Sequence, residues 1–349
     1  MHLKVGKSSG IDGIPNEVYQ HGGDAVLDKL HDLFTNCWEK GSLREDVRNA
    51  VIFSLYKNKG EKSDCSNYGG ITLLSIAGKI LALFLLNRVI PTIAQQNTPE
   101  NQCVFRSNRE TTDMIIVLKQ NQQKCREQNM GLYAPFVDLT KAFDPVNRDG
   151  LEILARLGCP QKFLTILRQL HEVQQGKVKH NGLLSGGFPI SNGVKQGCIL
   201  APTLFSIFFS IILREGKEDL PDGIYIRFRI DGSVFNLRRL LARTKTIEEL
   251  ITELLFAEDC DLLAHTEEAV QHIVNRFSDA AKNFGLNISM KKTEVLCQPH
   301  PRKAYSLSHI SIDGTNLNAV EHFTYPGSTI TSDATVNKDL ENHRPSCHP

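Results

Sequence analysis

Two short stretches carry acidic side chains inside otherwise apolar runs. In LYAPFVDLTKAFD, Asp138 ends a strand-like run; in LLFAEDCDLL, Glu258 and Asp259 sit side by side between apolar residues. Unpaired charges are costly to bury, so such carboxylates need a cationic partner, a metal ion or water. Two neighbouring strands can bring groups of this kind close together. Converging carboxylates that cannot neutralise one another suit hard divalent cations such as Mg²⁺ or Mn²⁺. Two such ions, about 4 Å apart, serve in-line phosphoryl transfer: one activates the attacking oxygen and the other steadies the leaving group. A solvated turn is the alternative for either stretch alone, and the two together weigh against it. Glu258-Asp259 at a hairpin tip is also poor turn chemistry, because two-residue turns favour Asn-Gly or Asp-Gly. A sequence that breaks a local rule often does so at a functional site.

The elements that must position these groups can be read from pattern. Val51 to Tyr56 (VIFSLY), rich in β-branched and aromatic residues, predicts a strand, and the basic polar loop KNKGEKSDCSNYGG follows it. ITLLSIAGKILALFLLNRVI predicts one long apolar helix. LYAPFV predicts the strand that ends at Asp138. LEILARLGCP and FLTILRQLHEV predict two short helices separated by Gly158 and Pro160. A glycine-containing loop over 186–197 leads to a buried helix from Ile199. Within RFRIDGSVFNLRRLLARTK, Asp231-Gly232 lies between two strand-like runs and signals a hairpin. The arginines and lysines of that segment form either a solvated face or one that contacts phosphates. Thr266 to Phe284 is the clearest helix: Val270, Ile273, Val274, Phe277, Ala281 and Phe284 recur at helical spacing. Thr266 suits its N-cap and Gly285 its stop. LNISM then predicts a further strand. The whole order suits an α+β fold.

Composition sets wider bounds. A chain of 349 residues suits two domains, or one large domain with lobes. Its apolar (41%) and charged (23%) fractions are ordinary for a soluble globular protein. A net charge of +1 is neutral evidence on a nucleic-acid partner, since basic residues can be confined to one groove. Nine scattered cysteines without a CxxC pair argue against a disulfide framework or zinc site, and for a reducing intracellular compartment, cytoplasm or nucleus. Cys297 and His300 have metal-like spacing, but no second pair lies nearby. The N-terminus has no apolar signal core. The most apolar run, Ile199 to Leu213, is broken by Pro202, Thr203, Ser206 and Ser210 and falls short of the roughly 20 residues a membrane helix needs, so no membrane is expected.

FVDLTKAFDPVNRDGL, SNGVKQGCILAPTLFSIFFS, LLFAEDCDLLAHTEE and FGLNISMKKTEVL occur in an order that resembles the palm motifs of reverse transcriptases of the non-LTR (LINE-type) retrotransposons. NKGEKSDCSNYGGITLLSIAGKILA and ENQCVFRSNRETTDMI resemble that family's fingers motifs, and KSSGIDGIPNEVY its entry into the fingers. The resemblance runs from about Lys7 to Ser328. It implies an α+β right-hand polymerase fold, with fingers, a ferredoxin-like palm sheet and a thumb that is largely absent. The implied division is 1–130 fingers, 131–330 palm with fingers residues partly interleaved around 150–190, and 331–349 a truncated thumb start or tail. It implies an RNA-directed DNA polymerase that uses two Mg²⁺ or Mn²⁺ ions, an RNA template, a DNA primer and deoxynucleoside triphosphates.

The resemblance also assigns residues. Asp138, Glu258 and Asp259 would hold the metals. Lys292 would lie near the leaving pyrophosphate, although a surface lysine is an equal reading. Phe143 would gate the sugar by excluding a ribose 2′-hydroxyl, unless it is simply a core ring. Gln196 and Gly197 would open a helix beside the incoming nucleotide, where glycine permits close backbone approach. Lys57 and Lys59, with Lys62, would close on the triphosphate as point charges, unless their loop is only solvated. Tyr325 and Gly327, in YPGS, would form the primer grip, or an ordinary Pro-Gly turn.

Departures from the family pattern sharpen the expectations. The family writes the acidic hairpin as Phe/Tyr-Ala-Asp-Asp, and this chain has Glu258 first. One extra methylene moves the carboxylate by roughly 1 Å, a displacement that can cost on the order of 100-fold in rate. Gly69-Gly70 stands where an arginine is usual, Val104 where glycine is, Pro326 where leucine is, and Asp261 adds a charge to an apolar strand. No endonuclease segment precedes Lys7, and no periodic helices follow residue 328. The rival expectation is therefore a degenerate, catalytically weak or inactive fragment that at most binds nucleic acid. An RNA-dependent RNA polymerase or nucleotide cyclase is a further rival, which a large residue at Phe143 argues against, and a purely structural module is the last.

Overall fold

The computed structural model describes residues 6, 8–10, 12–58, 60–89, 93, 111–146, 151–171, 174–194, 198–217, 222–229, 246–301, 308–325 and 328–334. The chain divides into two compact units, one formed by 1–98 with 141–208 and the other by 99–140 with 209–349. Each combines helices with β-sheet, a mixed α and β architecture. Among the described residues, no helix is long and apolar enough to cross a membrane.

In the first unit, the strand Ala50–Tyr56 pairs antiparallel with Tyr68–Leu73 and parallel with Gln174–His180. Leu183–Leu184 and Phe188–Ile190 both add antiparallel to Gln174–His180. The expectation of one helix from Ile71 is corrected here: Ile71, Thr72 and Leu73 are strand residues, and the helix is Ile76–Val89. The physical reason is local. Ser75 caps the helix, its hydroxyl accepting from the Gly78 N–H at 3.1 Å. Its apolar residues fill the core, with Ile76, Leu81, Ala82 and Leu85 inaccessible or nearly so, while Phe84, Asn87 and Arg88 lie on its exposed side. Ile76, Ala77 and Ile80 pack with Leu30 of the helix Gly23–Lys40, and Tyr19, Val26, Leu33 and Phe34 join them. That helix ends at Gly41, whose φ of 61° is left-handed. The two short helices expected after residue 150 are Leu151–Arg156 and Gln161–His171. The apolar run after Ile199 folds as the helix Ala201–Lys217, along which the chain passes from the first unit to the second.

The second unit is built on a five-stranded sheet in the order Asn318–Val320, Glu294–Gln298, Leu132–Val137, Asp259–Leu262, Glu253–Phe256. All neighbours are antiparallel except the first pair. On one face, Leu132, Ala134 and Phe136 pack with Met114 and Leu118 of the helix Thr111–Glu127 and with Leu254, Leu296, Tyr325 and Ile330. Phe136 stacks on Phe323 with ring centres 3.9 Å apart and meets the edge of Tyr325 at 5.7 Å. The helix Glu267–Asn283 packs on the two central strands, burying Val270, Val274, Phe277 and Ala281. Thr266 caps it, accepting from the Ala269 N–H. Its far end closes with two bonds, Gly285 N–H to Lys282 and Leu286 N–H to Ala281, around Gly285 at φ 76°. This is a Schellman motif, which needs a left-handed residue at that point. The strand Ile224–Arg229 pairs antiparallel with Thr246–Ile251, so its partner is not the run directly after Asp231-Gly232 that a tight hairpin would use, and Asp231-Gly232 itself lies outside the described residues.

LNISM is not the strand that its pattern suggests. Only Ile288 bridges to Leu139, and a turn then intervenes before the strand Glu294–Gln298. The turn is held by the N–H groups of Lys292 and Thr293 on the Ser289 carbonyl.

The aromatic stack makes Phe136 the tightest test of this core. Phe136→Ala should lower the unfolding free energy by about 3–5 kcal/mol, read from urea denaturation of the whole chain; a loss below about 1 kcal/mol would show that the stack does not hold the sheet.

Candidate active site

Asp138 follows the last residue of the central strand Leu132–Val137. The antiparallel register pairs Val137 with Cys260 and Phe136 with Asp261, so one further step sets Asp138 opposite Asp259. Strand geometry alternates side chains, hence Phe136 and Asp138 share a sheet face with Asp259 and Asp261. The backbone of Asp138 is tied on both sides: its N–H donates to Thr293 Oγ1 at 3.3 Å, and its carbonyl accepts from the Ser289 N–H at 2.8 Å. Thr140 N–H to the Asn287 carbonyl adds a third tie.

The hairpin differs from the expected one by one residue. Phe256 pairs with Asp259, so the turn is Ala257-Glu258, and Asp259 is already in the strand. The left-handed residue is Ala257, at φ 55°. Positive φ at the first turn residue alone is the pattern of a type II′ turn, which glycine would fill without strain. An alanine there stores roughly 1 kcal/mol of backbone strain. Strain of this kind concentrates at functional sites.

Charge is unevenly matched around Asp259. Burial pushes its carboxyl up to about 6, with the charges of Glu258 and Asp138 adding to the effect and Lys292 opposing it. Lys292 holds both oxygens of Asp138, at 2.9 and 2.8 Å. The oxygen donors on facing strands and the cation drawn onto Asp138 fit a hard divalent ion. Among the described residues, however, no three His, Cys, Asp or Glu side chains gather into a ready ligand cluster. The structure thus brings Asp138, Asp259 and Lys292 together and leaves Glu258 on the turn beside them.

The other expected residues are placed as follows. Tyr325 is buried, 3% exposed, and its hydroxyl donates to Asp261 Oδ1. The ring therefore faces the core and not a surface. Tyr325 pairs with Ser328; Gly327 lies outside the described residues. Phe143, in the first unit, is half-buried against Phe205 with ring centres 4.7 Å apart. Lys57 is exposed and bonds through its N–H to the Asn67 carbonyl. Lys59, Gln196 and Gly197 lie outside the described residues. Cys297 of the Cys297/His300 pair is buried, and its thiol lies in hydrogen-bond reach of Tyr133.

Three features escaped the sequence reading. Thr293, fully buried, anchors Asp138; its signal was its place directly after the lysine pair. Asp261 was legible as an extra charge, but its partner Tyr325 is 64 residues away. Gly193 has φ 82°, and a Cβ there would meet the Asp144 carbonyl at 2.4 Å. That approach lets the Val194 N–H reach the Phe143 carbonyl, tying down the turn that carries Phe143.

Asp259 makes stability depend on pH. Its carboxyl is raised in the folded state, so the folded protein holds the proton more tightly than the unfolded chain. Stability is therefore present below the ordinary carboxylate range and lost as pH rises through about 6. Asp259→Asn should stabilise the chain by about 1 kcal/mol at pH 7.5, after allowance for solvent screening. It should leave stability unchanged near pH 3.5. Denaturation midpoints at the two pH values check this, and equal gains at both would remove the ionisation argument.

Residues 57–330 match the family described as reverse transcriptase (RNA-dependent DNA polymerase). The chain is 22% identical to the RNA-directed DNA polymerase from mobile element jockey of Drosophila melanogaster, over 97% of this chain and 35% of that protein. It is 28% identical to the transposon TX1 uncharacterized 149 kDa protein of Xenopus laevis, over 58% of this chain and 15% of that protein. A putative 115 kDa protein in type-1 retrotransposable element R1DM of Drosophila melanogaster is 29% identical over 61% of this chain and 20% of its own length. The chain thus spans about a third or less of these relatives. The family match covers most of the chain, including both acidic strands: the chain belongs to the reverse transcriptase (RNA-dependent DNA polymerase) family.

Proposed function

We propose that this chain forms the fingers and palm of a non-LTR (LINE-type) reverse transcriptase and extends a DNA primer along an RNA template. The observation that carries the reading is the Val137–Cys260 register, which brings Asp138 next to the strand of Asp259 so that each carboxylate's charge acts on the other, beside a strained acidic turn. Family membership and the relative named as an RNA-directed DNA polymerase support it. The palm would be the five-stranded sheet of the second unit. The fingers would fall mainly in 1–130, with material returning around 150–190. The interleaving of the two compact units along the chain supports the return around 150–190, whereas 99–130, with the helix Thr111–Glu127, groups with the sheet and would belong to the palm.

In the reaction, the primer 3′-oxygen bonds to the α-phosphorus of a deoxynucleoside triphosphate. The bond from that phosphorus to pyrophosphate breaks, pyrophosphate leaves, and the hydroxyl proton passes to solvent. Asp138 and Asp259 would hold Mg²⁺ or Mn²⁺, with Glu258 completing the set by turning its side chain inward. Two ions so held would supply Lewis-acid activation of the hydroxyl and neutralise charge on the leaving group. Lys292 offers an ammonium to the triphosphate side of the site, and Lys57 and Lys59 would add point charges. Phe143, its ring braced by Phe205, would exclude a 2′-hydroxyl. Gln196 and Gly197 would border the nucleotide. Tyr325, being buried, would serve the primer grip as a support of the strand pair His322–Tyr325 and Ser328–Thr331, with Gly327 contacting the primer.

Primer extension on an RNA template tests the reading. Asp138→Asn should reduce the rate by more than about 100-fold, and Glu258→Asp should raise it by up to about 100-fold by restoring the carboxylate position. Extension that survives Asp138→Asn would sink the proposal. Phe143→Ala should raise ribonucleotide incorporation at least about 10-fold relative to deoxynucleotides. Unaltered discrimination would return Phe143 to the role of a core ring.

A further inference from the structure

Lys292 does more in this structure than point toward a substrate. Its ammonium holds both oxygens of Asp138, at 2.9 and 2.8 Å. The two residues are anchored very differently. Asp138 has its N–H on Thr293 and its carbonyl on Ser289, and its side chain is 26% exposed. The Lys292 backbone is pinned through its N–H to Ser289, while its side chain is 57% exposed. The lysine stem is therefore the part free to move, and the aspartate is the fixed pole. Across the strand pair lies Asp259, which feels the charges of Asp138, Glu258 and Lys292 together. Asp138 holds the ammonium and Asp259 feels its charge, with the charge of Glu258 beside them, and a doubly charged ion is favoured over a single charge among such oxygens.

We infer that Lys292 is the protein's own cation at Asp138, and that a divalent ion takes this place only by exchange, releasing the lysine. The inference rests on the metal-binding reading above and deepens it. Release leaves the ammonium on a flexible stem close to the same carboxylates, where a triphosphate bound with the ion would receive it. Ion loading and presentation of the lysine to phosphate are then one event. The cost of the exchange is paid in ion affinity: the site binds its first ion more weakly than the bare carboxylates would.

Mn²⁺ binding to the full chain, followed by the electron paramagnetic resonance of the free ion, tests this without any catalytic readout. Lys292→Met and Lys292→Gln should bind Mn²⁺ about three- to tenfold more tightly than the unaltered chain. Equal or weaker binding in both variants would overturn the exchange. A second measurement uses the unaltered chain, so it does not depend on how the variants fold. Acylation of Lys292, followed by mass spectrometry, should rise as Mg²⁺ saturates, while the exposed neighbour Lys291 stays level. Labelling of Lys292 that ignores saturating Mg²⁺ would also overturn it. If the unaltered chain fails to bind Mn²⁺, or Asp138→Asn binds it equally well, the metal reading itself falls, an outcome distinct from failure of the exchange alone.

Discussion

The pairing of Val137 with Cys260 is the constraint on which the second unit's chemistry depends. Register in a sheet is all or nothing, because a slip by one residue turns every side chain to the opposite face. In the observed register, Phe136 meets Asp261, and the same register carried one step further sets Asp138 opposite Asp259. A slip would send Phe136 away from Phe323 and Tyr325 and at the same time separate the two carboxylates. The apolar stack and the acidic site are thus two ends of one alternation, and the core's preference for a single register also aligns the site.

The same face carries a buried acid. Asp261 is 1% exposed, and burial raises its carboxyl well above the usual range, against the opposing effect of the Tyr325 hydrogen bond. One oxygen takes the Tyr325 hydroxyl, and the other has no partner among the described residues. A carboxyl in such a place is most stable carrying its proton. It joins the acidic hairpin to the strand pair that follows residue 321, a cross-link between two supports of the site.

What could be read from the amino acids follows the range of the forces involved. The helix at 267–283 was legible because cap, apolar spacing and terminal glycine are all local. Asp138 was legible because an apolar run stops there. The Ile71–Leu73 strand was not, since an apolar run that crosses from strand to helix looks continuous, and only the Ser75 cap marks the border. The acidic hairpin was found but placed one residue late, because the left-handed position is filled by Ala257 and not by glycine. Tyr325 with Asp261, and Gly193 with Asp144, depend on tertiary approach and leave no local pattern. The roles proposed for Phe143 and Lys292, which no spacing rule would give, come from family resemblance.

The turn after Gly285 has a consequence for how the chain can vary in length. Gly285 reverses the chain, Asn287 and Ser289 bond to the backbone around Asp138, and Lys292 follows within the turn on Ser289. Both ends of this stretch are fixed: one by the helix terminus, the other by the strand that begins at Glu294. The segment therefore works as a ruler that measures the lysine's distance from the aspartate. An inserted or deleted residue between Leu286 and Thr293 would displace the ammonium while every side chain of the site kept its identity. Variation in length here would be more damaging than most substitutions at the same positions.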